Sequence, residues 1–157
     1  MESKGLVIPS NGYRLLKGRV SETGRIYSIT VVTHLRCPVF RDFHLGRLVV
    51  DQFKLAHEAD HTHSLAWVVM PDHIHWLFEL RSRSLSEVMC RFKSRSSRQI
   101  NQCLGRRGRL WQKGYHDRAL RREDDLKAIA RYIVLNPVRA GLVRRIGDYP
   151  LWDAIWL

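Results

Sequence analysis

No stretch of this 157-residue chain approaches the roughly 20 uncharged apolar residues that a bilayer-spanning helix needs, and its start lacks the basic segment and apolar run of a leader. No membrane association and a cytoplasmic location are therefore expected. Cysteine is sparse too. Cys37, Cys90 and Cys103 are odd in number and show neither CxxC spacing nor a disulfide pattern, which argues against a disulfide scaffold and against a structural zinc protein. They read as small buried thiols. Acid is in shortest supply: 15 Asp and Glu face 27 Lys and Arg, for a formal net charge of +12. A pI near 10.4 points to a polyanionic partner.

What is present suffices for one core. Hydrophobic residues make up 45% of the chain, so residues 1–157 read as one domain, with 1–24 a partly ordered arm. The β-branched and aromatic run Ile26–Thr33 predicts a strand. Leu45, Leu48, Val49, Phe53 and Ala56 predict a helix to about Glu58. Two apolar runs, Leu65–Met70 and His73–Leu80, flank Pro71-Asp72 as a hairpin. Ser84 and Glu87 have capping-box spacing before the stripe Leu85, Val88, Met89, Phe92 and Ile100, which predicts a second helix. A Gly- and Arg-rich linker, 105–109, leads to a short strand at 118–121. A third helix opens on Glu123-Asp124-Asp125, buries Leu126, Ile129, Ala130 and Ile133, and ends near Pro137. The order β-α-β-β-α-β-α predicts an α+β fold with helices on a mainly antiparallel sheet.

In His73-Ile74-His75 the two imidazoles, two residues apart on a strand, share one face, while Ile74, Trp76, Phe78 and Leu80 share the other. Two such rings can converge on a divalent metal. Taken alone, the pair is as readily two polar-face strand residues, and His61-Thr62-His63 repeats the spacing without an apolar residue between. Glu79 reads as a solvated carboxylate rather than a further ligand. Tyr132 and Asn136, four apart, stack on one helix face and present a phenol and an amide together. Alone, they read as a core tyrosine and a helix stop.

The positive charge is local. From Arg81 through Arg122 there are 13 Lys and Arg against two acids, Glu87 and Asp117, which is +11 of the +12. Arg81, Arg83, Arg91, Lys93, Arg95, Arg98, Arg106, Arg107, Arg109, Lys113 and Arg118 read as phosphate-binding residues, with Trp111 and Tyr115 interleaved for base stacking.

Met70-Pro71-Asp72-His73-Ile74-His75-Trp76, followed by Tyr132-Ile133-Val134-Leu135-Asn136-Pro137-Val138-Arg139-Ala140-Gly141-Leu142-Val143, closely resembles the transposases associated with repetitive extragenic palindromes (REP), which are HUH single-tyrosine nucleases. The resemblance runs from about Ile26 to Tyr149. It implies a ferredoxin-like, RRM-like sandwich with the histidines on a central strand and the tyrosine on a helix beside it. It implies His73, His75 and Asn136 as ligands of Mg²⁺ or Mn²⁺, and Tyr132 as the nucleophile of a nicking and rejoining enzyme. The implied partner is single-stranded DNA with imperfect palindromic hairpins, bound by the basic belt of a nucleoid-associated monomer or homodimer. The competing reading is a non-catalytic RNA- or single-stranded-DNA-binding module on the same scaffold, which accounts for the charge and leaves the four site residues as coincidence.

Overall fold

The computed structural model describes residues 21–121 and 124–156. Most of the expected N-terminal arm, together with Arg122 and Glu123, lies outside the described residues. In chain order the elements are β1 (Ile26–Val32), α1 (Phe43–Glu58), β2 (Thr62–Met70), β3 (His73–Leu80), α2 (Leu85–Leu104), β4 (His116–Ala119), α3 (Leu126–Val134), α4 (Asn136–Arg139) and β5 (Trp152–Ala154). The sheet order is β4-β1-β3-β2-β5, with every pairing antiparallel. The first four strands have the ferredoxin-like arrangement, and β5 extends the β2 edge.

The sheet is covered on both faces because its strands alternate. Ile74, Trp76, Phe78 and Leu80 of β3 are at most 1% exposed and join Leu45, Val49 and Phe53 of α1 and Leu85, Met89 and Phe92 of α2 in one core. A smaller core on the opposite face joins Leu77 of β3 and Val68 and Met70 of β2 to Ala130, Ile133 and Val134 of α3. Burying both faces removes an open platform from most of the sheet.

Local signals explain most boundaries. At α2 the capping box is closed in both directions: Glu87 N–H donates to Ser84 Oγ at 3.2 Å, and Ser84 N–H donates to Glu87 Oε1 at 3.1 Å. The helix ends at Gly105, whose φ of 61° suits a residue without Cβ. α1 starts two residues before the predicted Leu45, because the Asp42 carboxylate accepts from the N–H groups of His44 and Leu45. β2 starts at Thr62, earlier than predicted, with a bulge between Ser64 and Ala66 that interrupts the alternation. β4 sits two residues before the predicted 118–121, since its polar edge sequence HDRA carries little periodic signal. The acids ahead of α3 precede the helix: Asp125 is its N-cap, and Asp124 accepts from Arg121 N–H. β5, only three residues long, was not foreseen.

Two expectations fail on burial. Cys37, Cys90 and Cys103 are exposed free thiols, because Cys37 follows a surface turn and the other two lie on the outward face of α2. Trp111 and Tyr115 are 2% and 8% exposed and belong to the larger core, so they are not available to stack on bases. Trp111 Nε1–H donates to Ser96 Oγ at 2.9 Å, and the hydroxyl donates onward to Phe92 O at 2.7 Å. Both Ser96 and Trp111 are buried. Removing that hydroxyl strands an indole donor away from water. Ser96→Ala is expected to lower the unfolding free energy by about 1–3 kcal/mol, read as a lower denaturant midpoint at unchanged slope; an unaltered midpoint contradicts the role given to this hydroxyl.

Candidate active site

The central position of β3 sets the site. Because the even-numbered side chains are locked in the larger core, His73 and His75 emerge on the face that α3 covers. Their rings stand edge to face with centroids 4.9 Å apart. Each is held from behind. His73 Nδ1–H donates to Asp72 Oδ1 at 2.7 Å, and Asp72 Oδ2 accepts from Arg36 at 3.0 Å. His75 Nδ1 meets Thr30 Oγ1 at 3.0 Å across the β1–β3 ladder, where the two residues are register partners. Both contacts engage Nδ1, which leaves Nε2 as the remaining ring nitrogen, and a donating Nδ1–H gives that nitrogen the lone pair a cation needs.

Electrostatics favour the same state. Burial, then the charges of His73 and Arg139, push the His75 imidazole down to about 4, so it is neutral at pH 7. Burial works to raise the Asp72 carboxyl, but the hydrogen bonds from His73 and Arg36 outweigh it and hold the group below its usual range. Asp72 is thus an anion facing the His73 ring. Arg36 reaches it from a turn in which Leu35 and Arg36 have φ of 56° and 52°, an uncommon conformation for residues with a Cβ. Sequence reading treated Asp72 as turn punctuation and gave Arg36 and Thr30 no role, since their contacts join segments distant in sequence.

Tyr132 and Asn136 arrive from α3 and α4. A single cleft is lined by Ser28, Thr30, His75, Arg118, Ile129, Tyr132 and Asn136, so the strand histidine, the phenol and the amide share one opening. Tyr132 is 65% exposed, unlike a core tyrosine. Asn136 resolves a backbone problem. Pro137 has no N–H to donate to the Ile133 carbonyl four residues earlier, and Asn136 Nδ2–H donates there instead at 2.9 Å. That bond fixes which end of the amide is nitrogen and leaves Oδ1 free as an acceptor. Capping and ligation are therefore compatible. Two ring nitrogens and an amide oxygen form a donor set that fits a divalent ion such as Mn²⁺. Among the described residues no three His, Cys, Asp or Glu side chains cluster as a metal site.

Glu79 lies further along β3, near His63 and Arg81, each at 3.7 Å. His63 also packs on the His57 ring, 5.4 Å between centroids, away from His75. The basic belt divides. Arg91, Arg95 and Arg98 are exposed on α2, across the sheet from Tyr132. Arg106, Arg107, Arg109 and Lys113 are exposed in the loop after α2, which is tied to the His73 end of the sheet by the bridge between Thr33 and Trp111. Arg118 lines the cleft and pairs with Asp124 at 3.6 Å. Arg81 and Arg83 face Asp60 and Glu87 in surface ion pairs. Lys93 is turned inward: its ammonium donates to the carbonyls of Gln112 at 2.8 Å and Gly114 at 2.7 Å, and burial with the Arg109 charge pushes it down to about 8.

Comparison with known proteins places these features in a family. The family model described as "Transposase IS200 like" matches residues 22–136. The REP-associated tyrosine transposase of Escherichia coli K12 is 32% identical over 85 residues, which are 54% of this chain and half the length of that relative. A Haemophilus influenzae relative is 26% identical over 142 residues, 81% of this chain and 78% of its own. The solved structure of a REP-associated tyrosine transposase bound to a REP hairpin shares the fold, with a TM-score of 0.69 at 22% identity over 85% of this chain and 79% of that one.

The Asn136 assignment has a direct test in metal-free protein. Asn136→Ala removes the side-chain donor to the Ile133 carbonyl and is expected to cost about 0.5–1.5 kcal/mol of stability, measured by chemical denaturation in chelator; a stability equal to the unaltered chain contradicts the cap.

Proposed function

The chain belongs to the IS200-like transposase family, and from that premise we propose that it nicks and rejoins single-stranded DNA beside imperfect palindromic hairpins through a 5′-phosphotyrosine on Tyr132. The observation that carries this reading is the exposed Tyr132 phenol opening into the same cleft as His75 and Asn136. A divalent ion, Mg²⁺ or Mn²⁺, held by His73, His75 and Asn136 would supply positive charge to the phosphate under attack.

The chain's own groups do the rest. Tyr132 Oη attacks the phosphorus in line, the P–O3′ bond breaks, the phenolic proton passes to solvent, and the leaving oxygen takes a proton to become a 3′-hydroxyl. One phosphodiester replaces another, so a second 3′-hydroxyl can reverse the step on a new strand. Asp72 and Thr30 keep the histidine rings oriented, while Arg118 offers a guanidinium to a phosphate along the cleft. The arginines of α2 and the loop 105–113 suit the backbone of flanking duplex, since they are spread over a surface rather than gathered at the phenol.

The alternative, an RNA- or single-stranded-DNA-binding module, needs aromatic side chains on an open sheet. The open part of this sheet is lined by Ser28, Thr30, His75 and Arg118, and the cleft's aromatic phenol is Tyr132 itself. That composition favours chemistry over stacking.

Hairpin-flanked single-stranded DNA incubated with the protein and Mn²⁺ is expected to yield an adduct that survives denaturant. Chelator, His73→Ala or His75→Ala should each lower its yield by about 10²-fold or more, and Tyr132→Phe should abolish it. An adduct persisting in Tyr132→Phe contradicts the nucleophile; one indifferent to chelator contradicts the metal.

A further inference from the structure

Tyr132, Asn136 and Arg139 fall at i, i+4 and i+7, so they form one stripe along α3 and α4, opposite the buried stripe of Ala130, Ile133, Val134 and Pro137. Helical side chains lean toward the N-terminus, and the long arginine at the end of the stripe reaches back over the phenol. Its Cζ lies 3.7 Å from the Tyr132 ring centroid. Among the described residues no carboxylate pairs with this guanidinium, in contrast to Arg118 and Asp124. Stacking occupies the flat face of a guanidinium and leaves its in-plane N–H donors free.

We propose that Arg139 positions the Tyr132 phenol by stacking on its ring and donates its free N–H edge to a non-bridging oxygen of the phosphate that Tyr132 attacks. The inference rests on Tyr132 being the nucleophile. An exposed phenol with no hydrogen bond among the described residues has little else there to hold its ring, and the cation on the ring face leaves Oη uncovered for attack. The same guanidinium lies beside the oxygen as it gives up its proton and beside the phosphate as negative charge builds during Oη–P bond formation and P–O3′ cleavage. One side chain thereby orients the nucleophile and stabilises the group it strikes.

The test uses the full chain, Mn²⁺ and a hairpin-flanked single-stranded oligonucleotide, with Arg139→Ala, Arg139→Gln and Arg139→Lys compared in single-turnover adduct formation at saturating protein. Ala and Gln are expected to slow the adduct step by about 10²-fold. Binding of the same oligonucleotide, read by anisotropy, should change by less than about threefold, since one exposed phosphate contact among many is lost. Lys, which keeps the charge but not the planar stack, should recover about tenfold of the rate. Melting temperatures should match the unaltered chain, because both side chains are exposed. An adduct rate within about threefold of the unaltered chain in Ala and Gln overturns the inference. So does a rate loss that disappears at saturation and is matched by weakened binding, which makes Arg139 an ordinary backbone contact. If the unaltered chain forms no adduct, the nucleophile reading itself fails, and this inference falls with it.

Discussion

The two-residue alternation of β3 is the constraint on which the rest of the structure depends. Ile74, Trp76, Phe78 and Leu80 are fixed in the larger core by the helices α1 and α2, and the pleat then leaves His73 and His75 only one direction to point. A slip of one residue in register would exchange the histidines with the core residues and bury two imidazoles against aromatic rings, so the hydrophobic effect enforces the site geometry. Trp76 contributes most visibly. It packs on Phe53, Phe78 and Phe92, with centroids between 4.4 and 5.5 Å apart, and its Nε1–H is satisfied by Ser64.

The second half of the site is fixed by a local backbone event rather than by packing alone. Pro137 interrupts the hydrogen-bond ladder where α3 gives way to α4, and Asn136 repairs the gap with its own amide. The same substitution of side chain for backbone leaves Oδ1 free at a residue that lines the cleft, and Tyr132, Asn136 and Arg139 stay in one line. The same Asn-Pro pair thus meets a structural requirement and supplies the amide oxygen that the proposed function calls on. Strand and capped helix face each other, so the residues proposed to react sit on regular elements rather than on a loop.

Much of this was legible in the sequence for physical reasons that can be named. The histidine face, the capping box at Ser84 and the tyrosine stripe follow from periodicities of 2 and 3.6 acting on strongly apolar residues. The belt of arginines was visible as charge, but its division between the α2 surface, the loop and the cleft was not, because charge counts carry no direction. Trp111 and Tyr115 misled for a related reason: aromatic residues among arginines suggest stacking, and only the packing of α2 against β1 and β3 shows them to be core. Asp72, Arg36 and Thr30 were missed because each acts through a contact that periodicity does not encode, whereas Arg139 lies on the same helical stripe as Tyr132 and was read only as part of the motif. Thr30 meets His75 across 45 positions of sequence, and Arg36 meets Asp72 across 36. The cysteines illustrate the opposite error, where a residue-type tendency toward burial lost to position on a surface turn and an outer helix face.

The most direct measurement of the central claim is the site of covalent attachment. Trypsin cleaves after Arg131 and Arg139, so Tyr132 falls in the peptide Tyr132–Arg139, which contains no other tyrosine. Tandem mass spectrometry of the trypsin- and nuclease-treated protein–DNA adduct is expected to find a nucleotide 5′-phosphate on that peptide, with fragments placing it on Tyr132. The same mass addition on a peptide carrying Tyr13, Tyr27, Tyr115 or Tyr149, or on a serine or histidine, would contradict the account.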